Sequence, residues 1–299
     1  MVLYRLLEKD WDVELIGPIW SRYGTALWEP LRESDLNIRS FGCKDLMDFV
    51  PKAELLSSAG GYDLVYVCKP RLPSIFLGGL ISQSSNCPLM VDVDDFELSF
   101  FQSELYSSIE ELEIQGYSAL EEPYEELATR YCQTLVKEFD AVTVSNISLK
   151  RRFKGSLIRH ARDEDDFKYS DDAREIARSR LGARDDEFVL LFVGTPRPHK
   201  GVIPIIEALE EIDDPTIVFH IVGDITDSRF KKELESFKKA NVVFHPNCDF
   251  SELPRILPAA DLVPLIQDVD HPISEYQIPA KISDATCLLY TSPSPRDRG

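Results

Sequence analysis

Residues 194–201, GTPRPHKG, stand between an apolar run, FVLLFV, and an amphipathic one, VIPIIEAL. The pattern predicts a buried strand, a tight turn and then a helix. Gly194 permits close backbone approach in the turn, and Pro196 and Pro198 stiffen it. Arg197 can fork onto phosphate oxygens, and Lys200 supplies a point charge at the helix start. Free helix N–H groups and the helix dipole attract an anion at that place, so Gly194, Thr195, Arg197, Lys200 and Gly201 form a candidate phosphate or diphosphate loop. The plain alternative is a solvated turn whose Lys200 faces water.

A second candidate is SEYQIPAKISDA, residues 274–285. Pro279 precedes an expected helix start, with Lys281 and Asp284 in its first turn and Glu275 on the loop before it. An acid in that turn suits ribose hydroxyls, and Glu275 suits a sugar. An ordinary helix start with its favoured acid is the plain alternative.

The third is DVDDFE, residues 92–97, after the run PLMV. Carboxylates at a strand's carboxyl end can orient an acceptor hydroxyl or act as a base, which assigns catalytic roles to Asp94 and Asp95. The same triplet has the form of a metal-binding DxD. It also evokes phosphatases with an Asp nucleophile, here Asp92, although Phe96 stands where those enzymes carry Thr or Val. A polar turn at the strand end is the plain reading.

Of the five histidines, His220 and His245 fall inside expected strands and read as packed or hydrogen-bonded. His199 abuts Lys200, and His271 precedes Glu275, so both are candidate lining residues. The histidines show no HxxxH or HxH spacing and the scattered cysteines no CxxC, so no metal site is expected. Reduced thiols are the reading for the cysteines.

These residues need elements to hold them. Strand-like runs are VELIGPI, LNIRSF, YDLVYVCK, PLMVDVDD and AVTVSN in the first half, and FVLLFVG, TIVFHIVGD, NVVFHP and ADLVPLI in the second. Helical spacing appears in VLYRLLEKDW and over residues 75–82, 121–138, 202–212, 230–239 and 251–257. Short apolar strands alternating with helices predict parallel sheets covered on both faces. The charge-rich stretch 153–172 divides the chain into residues 1–153 and 154–286. The expected class is α/β, two Rossmann-like domains facing a cleft, with ligands beyond the strands' carboxyl ends.

A chain of 299 residues with 43% hydrophobic content can fill two cores. Its formal net charge of −19 argues against nucleic-acid binding. The acidic residues concentrate at 104–126 and 163–172, read as solvated faces or loops. Mean hydropathy is −0.18, and no apolar run reaches the roughly 18 residues of a membrane span.

Both ends read as incomplete. An α/β nucleotide-binding domain usually opens on a strand and a glycine-bearing turn, whereas here a helix comes first. Residues 287–297, CLLYTSPSPRD, resemble the translation of a transposase adapter from sequencing libraries. Residues 287–299 are therefore set apart as having no fold of their own, and the natural protein is expected to run on past Thr286. A truncated, non-catalytic chain is one reading of the whole.

Taken in order, these pieces resemble the GT-B glycosyltransferases, specifically the retaining group often called family 4, or glycosyl transferases group 1. VLLFVGTPRPHKGV resembles the family's strand, glycine turn and Lys-Gly helix start; HIVGD its next strand; LPRILPAADLVPLI its alanine-aspartate segment; SEYQIPAKISDA its acidic donor-sugar motif. The resemblance implies transfer of a sugar from a nucleotide-diphospho-sugar to an acceptor hydroxyl, with retention and no required metal or other cofactor. Lys200 takes the place of the diphosphate-binding lysine. Thr195 stands where the family commonly has Arg, with Arg197 two positions on. Glu275 and Asp284 match the paired glutamates at a separation of nine rather than eight, the second being Asp. His271 and Lys281 accompany them on the donor-sugar and ribose side, and Glu275 joins Asp94 and Asp95 as a catalytic candidate. The implied partners are the nucleotide-sugar and a glycan, lipid or small-molecule acceptor. The implied setting is cytoplasmic, including the membrane surface.

Overall fold

The computed structural model describes residues 2–32, 34–101, 124–162, 167, 169–237, 241–268 and 270–288. The chain divides into two compact units, Met1–Arg159 with Glu275–Ile278, and His160–Ser274 with Pro279–Gly299. The division falls inside the charge-rich stretch 153–172. Residues 163–166 and 168 of that stretch, most of the acidic run 104–126, residues 121–123, 238–239 and 289–299 lie outside the described residues.

The first unit begins with α1 (Val2–Leu7), β1 (Leu15–Trp20), α2 (Glu29–Arg32), β2 (Ile38–Cys43) and α3 (Leu46–Ser57). It continues with β3 (Val65–Cys68), α4 (Leu72–Ser85), β4 (Leu89–Val93), α5 (Glu126–Leu135), β5 (Ala141–Val144), α6 (Ile147–Phe153) and β6 (Ser156–Leu157). Every ladder is parallel: β1 with β2, and β3-β4-β5-β6 in that order. Side-chain caps set where its helices start. Asp45 accepts from the Asp48 amide at 2.8 Å before α3, and Asn146 from the Leu149 amide at 2.9 Å before α6. Asn86 closes α4 in the left-handed region, φ +50°.

The second unit holds α7 (Asp171–Leu181), β7 (Phe188–Val193), α8 (Val202–Ile212), β8 (Ile217–Val222), α9 (Ser228–Leu234), β9 (Val242–His245) and α10 (Leu253–Ile256). α12 (Ala280–Leu288) completes it, after the short α11 (Pro272–Tyr276). The sheet order is β7-β8-β9, all parallel. Val189, Leu191 and Val193 face one apolar cluster with α7, α10 and Leu288. Leu190 and Phe192 face the other, with Val202, Ile205, Ile206 and Leu209 of α8. This alternation buries residues 189–193 on both faces of the sheet, and each such side chain contributes about 1.5–3 kcal/mol. The buried α8 residues recur at helical spacing, so one stripe of the helix meets the sheet.

ADLVPLI, expected as a strand, makes only an isolated bridge from Leu190 to Leu262. Pro264 has no N–H to continue the ladder, and Leu265 and Ile266 are exposed. Asp261 holds the start of the segment instead, accepting from the Val189 amide at 2.7 Å and pairing with Arg174 and Arg178 of α7. The expected helix at 251–257 breaks around Pro254 and Pro258 into α10 between two short 3-10 turns. The N-terminal helix stops at Leu7 rather than Trp11. α12 runs two residues beyond Thr286, where the sequence reading ended the fold, because Leu288 is buried in the α7 cluster. As expected, His220 is buried, with its Nδ1 2.9 Å from His245 Nε2. Among the described residues no helix is long and apolar enough to cross a membrane.

Candidate functional site

In the second unit β7 and β8 end together, and their following glycines abut. The Gly194 amide donates to the Val222 carbonyl at 2.8 Å. Gly194 has φ +118° and Gly223 φ +146°, and a side chain on Gly223 would strike the Gly194 carbonyl. Both positions need glycine, because L-residues avoid this backbone region. The chain then makes a 3-10 turn, Pro198–Lys200, and enters α8 through Gly201 in the left-handed region. No side chain caps α8. Its first N–H groups therefore meet whatever occupies the space beyond the sheet.

Two lysine amines converge on this turn. Lys200 Nζ donates to the Thr195 carbonyl at 2.9 Å. Burial, aided by the charge of Arg197, holds its pKa below the ordinary lysine value. Lys281, brought in by α12, lies with its Nζ 3.0 Å from the centroid of the Phe192 ring. A Cβ placed on Gly194 would sit 3.3 Å from Lys281 Cε, so the lysine stem lies against the glycine turn. Burial, then repulsion from Lys200, pushes Lys281 down to about 6, with Asp284 pulling the other way. Among the described residues neither ammonium is held in an ion pair. Thr195 and Gly201 stand beside them, and Arg197 is exposed at the turn.

His199 and His271 border the same turn, with ring centroids 4.9 Å apart. The His199 carbonyl accepts from the Asp268 amide at 3.1 Å, and the Asp268 carbonyl from the His271 amide at 3.2 Å. His199 is driven down to about 4 by burial, then by His271, Lys200 and Arg197. The turn is thus rich in basic groups and partly dry: it favours an anion and disfavours further protons.

The structure separates the remaining candidates. Asp284 is buried and engaged by Arg162, while the neighbouring Ser283 hydroxyl donates to the His160 carbonyl at 3.1 Å. Those two contacts fasten α12 to the charge-rich stretch 153–172. Glu275 is exposed and belongs with Tyr276, Gln277 and Ile278 to the first unit, whereas Lys200, Lys281 and Asp284 belong to the second. Tyr276 is a core residue there, its ring centroid 4.9 Å from that of Phe96, and Asn146 Nδ2 donates to the Tyr276 carbonyl at 2.8 Å.

In the first unit Asp94, Asp95 and Glu97 offer carboxylate oxygens within 4.8 Å of one another, a spacing suited to a metal ion. A cation already sits among them. Lys69 Nζ lies 3.2 Å from Asp94, 3.0 Å from Asp95 and 3.3 Å from Glu97. Burial opposes the Lys69 charge, but Glu97, Asp94 and Asp95 outweigh it and hold its pKa above the ordinary value. Lys69 adopts φ +68° to reach this place, a strained position for a side chain with a Cβ. Arg71 pairs with the fully buried Glu97, and Gln277 Nε2 donates to Asp95 at 3.2 Å. Asp92 lies within β4 and accepts from the Thr143 hydroxyl at 2.6 Å. Lys69 and Arg71 were missed from sequence; cations directly after the apolar run YDLVYVC were the available signal.

Comparison with known proteins bears on the second unit and on the fold. Residues 173–268, about a third of the chain, match the family model described as glycosyl transferases group 1. No curated protein matches the chain. Among solved structures, HepE of Anabaena in complex with UDP-glucose is 17% identical with a TM-score of 0.65, over 93% of this chain and 79% of that one. A glycosyltransferase from Rickettsia africae is 12% identical with a TM-score of 0.56, over 84% and 72%. The catalytic domain of starch synthase IV from Arabidopsis thaliana, bound to ADP and acarbose, is 15% identical with a TM-score of 0.50, over 75% and 56%. At these identities the likeness shows the fold: the α/β architecture of GT-B glycosyltransferases.

Proposed function

We propose that the chain is a glycosyltransferase that moves a hexosyl group from a nucleoside-diphospho-sugar to an acceptor hydroxyl, with retention at the anomeric carbon. The observation that carries this reading is the convergence of Lys200 and Lys281 on the glycine turn at the uncapped start of α8. Two half-buried lysine amines without an ion-pair partner among the described residues are costly to charge, and a diphosphate offsets that cost. The family match over residues 173–268 and the UDP-glucose bound to HepE support the choice of donor class.

The chemistry follows from charge. Breaking the sugar–phosphate bond builds negative charge on the departing diphosphate. Lys200, Lys281 and the α8 N–H groups meet that charge more strongly as it develops, which lowers the barrier. Lys281 takes the part left open by Thr195, with Arg197 at the solvent side. The cationic side chains make a metal unnecessary in this reading. The acceptor, a glycan, lipid or small molecule, belongs to the first unit, where Asp95 is positioned by Lys69 and Gln277. Glu275 contributes from the segment that joins that unit, and Asp284 acts through α12 placement. The setting is cytoplasmic, or the membrane surface for a lipid acceptor; its free cysteines suit a reducing compartment. The Asp92 phosphatase alternative is disfavoured by the engagement of that carboxylate within the sheet.

Isothermal titration with UDP, GDP and ADP sugars tests the donor site. The expected result is binding of one of them that weakens by about tenfold or more in Lys200→Ala, the loss of a charge-assisted contact. Equal affinity of the variant and the parent would place the donor elsewhere.

A further inference from the structure

Residues 141–162 carry six cations, Lys150, Arg151, Arg152, Lys154, Arg159 and Arg162, and no Asp or Glu, in a chain whose formal net charge is −19. Packing of α6 sorts these cations into two kinds. Leu149 is fully buried, and Phe153 and Leu157 pack on the same apolar cluster. Arg152 turns inward with them. Its guanidinium lies 4.0 Å from the centroid of the Phe96 ring, and its Nη1 donates to the Tyr276 hydroxyl at 3.2 Å. Arg162 is taken up by Asp284. Lys150, Arg151, Lys154 and Arg159 are exposed, and among the described residues none of the four is in an ion pair.

The exposed residues form one surface. Ile147, Lys150, Arg151 and Lys154 fall at i, i+3, i+4 and i+7, the spacing of a single helix face. Lys154 ends the helix in the left-handed region, φ +60°. The Ile158 amide donates to the Val144 carbonyl at 2.8 Å, which sets Ile158 and Arg159 beside the start of α6. Ile147 is 44% exposed and Ile158 47%. Two branched aliphatic side chains therefore stand in water among four unpaired cations, along a seven-residue helix about 10 Å long. The helix dipole accounts for a cation in the last turn of α6. It does not extend to Arg159, and it gives no reason to expose the two isoleucines.

This surface also borders the carboxylates of the same unit. The Ser145 hydroxyl, one position before the cap Asn146, donates to the Asp94 carbonyl at 2.5 Å. The face of α6 thus begins at the strand ends that carry Asp94 and Asp95.

The composition of the surface selects its partner. Phosphates of an anionic bilayer meet ammonium and guanidinium groups, while aliphatic tips enter the acyl boundary. The long stems of Lys and Arg allow both at once. A nucleic acid supplies phosphates but leaves the isoleucines in water. The net charge of the chain opposes either polyanion at long range, so the short-range apolar contact decides between them.

We propose that the exposed face of α6, with Ile158 and Arg159, docks this protein on the surface of an anionic phospholipid bilayer. The contact is peripheral: Ile147 and Ile158 reach the acyl boundary, and the four cations lie among the headgroup phosphates. The docking concerns the first unit alone and stands apart from the donor reading of the second.

Flotation of the full chain with vesicles tests it. One set is phosphatidylcholine alone, and the other carries phosphatidylglycerol as about a third of the lipid. At about 0.1 M salt the chain should float with the second set and not with the first. Replacing Lys150, Arg151, Lys154 and Arg159 together by Gln should weaken binding by about a hundredfold or more, at about fivefold for each cation. Ile147→Ser with Ile158→Ser should weaken it by about tenfold. Lys231→Gln with Lys232→Gln, exposed cations of α9 in the second unit, should leave it unchanged. Should the fourfold variant fail to fold, Lys150→Gln and Arg159→Gln as single changes on separate elements each read the fivefold step. Absence of binding to the anionic vesicles, or equal binding to both sets, would overturn the proposal. So would a fourfold variant that melts and binds like the parent, or a DNA duplex bound as tightly as the vesicles with no effect of the isoleucine changes.

Discussion

Lys281 Nζ lies 3.0 Å from the ring centroid of Phe192, a buried residue of β7 two positions before Gly194. An aromatic face compensates part of the lost hydration, yet burial and the nearby Lys200 still hold this lysine at about 6. A group depressed so far below its unfolded value makes stability depend on pH. Between about 6 and the ordinary lysine value the unfolded chain binds more protons than the folded one. The lysine's contribution to stability is complete above the unfolded value and is lost as pH falls towards 6. Lys281→Met should flatten this dependence. Thermal melts of parent and variant from pH 6 to pH 9 should show the parent's disadvantage shrinking as pH rises. A constant difference across that range would contradict the placement of the charge.

The same residue predicts proton uptake on ligand binding. A diphosphate beside Lys281 favours its charged form, so at pH 8 nucleotide binding should take up a proton, by an amount between zero and one. Calorimetry in buffers of different ionisation enthalpy reads that number. Uptake should disappear in Lys281→Met and persist in Arg197→Met, whose side chain is exposed.

Gly223→Ala should destabilise the second unit by about 2 kcal/mol, since the new methyl meets the Gly194 carbonyl at a backbone angle foreign to alanine. Because the displaced backbone is the glycine turn under Lys281, nucleotide affinity should fall with stability. Urea unfolding and nucleotide titration on one variant preparation check both.

Glu97→Ala should cost about 3 kcal/mol, at the low end for a broken buried pair, because Lys69 and Arg71 keep some access to water. Denaturant melts of Glu97→Ala, Lys69→Met and the double variant should show non-additive losses, the double costing less than the sum of the singles.

Arg162→Met should loosen α12, since Arg162 is the partner of buried Asp284. The expected outcome is faster amide exchange in α12 and weaker nucleotide binding without any change at Lys200. A variant that leaves α12 exchange untouched would assign Asp284 to direct ligand contact instead.

Much of this was readable from local pattern. VIPIIEALEEI carries its stripe of Val202, Ile205, Ile206 and Leu209 in its spacing, and α8 spans those residues. FVLLFV is apolar at every position, and its last five residues are buried on both faces of the sheet. Lys200 stands next to the helix start in sequence, so its role in the turn needed no tertiary information. ADLVPLI shows the limit: its composition is that of a strand, but Pro264 and the ion pairs of Asp261 stop it after one bridge.

By itself the sequence determined the alternation of parallel strands and helices, the glycine turn and the cation that accompanies it, because these depend on residues within one helical or strand repeat of each other. Tertiary structure decided the partners. It laid Lys281 against Phe192 and Gly194, gave Asp284 to Arg162, put Glu275 into the first unit, and set Lys69 among Asp94, Asp95 and Glu97. Those pairings arise from how helices close over sheets. Packing and desolvation select them across long separations, and local periodicity carries no trace of them.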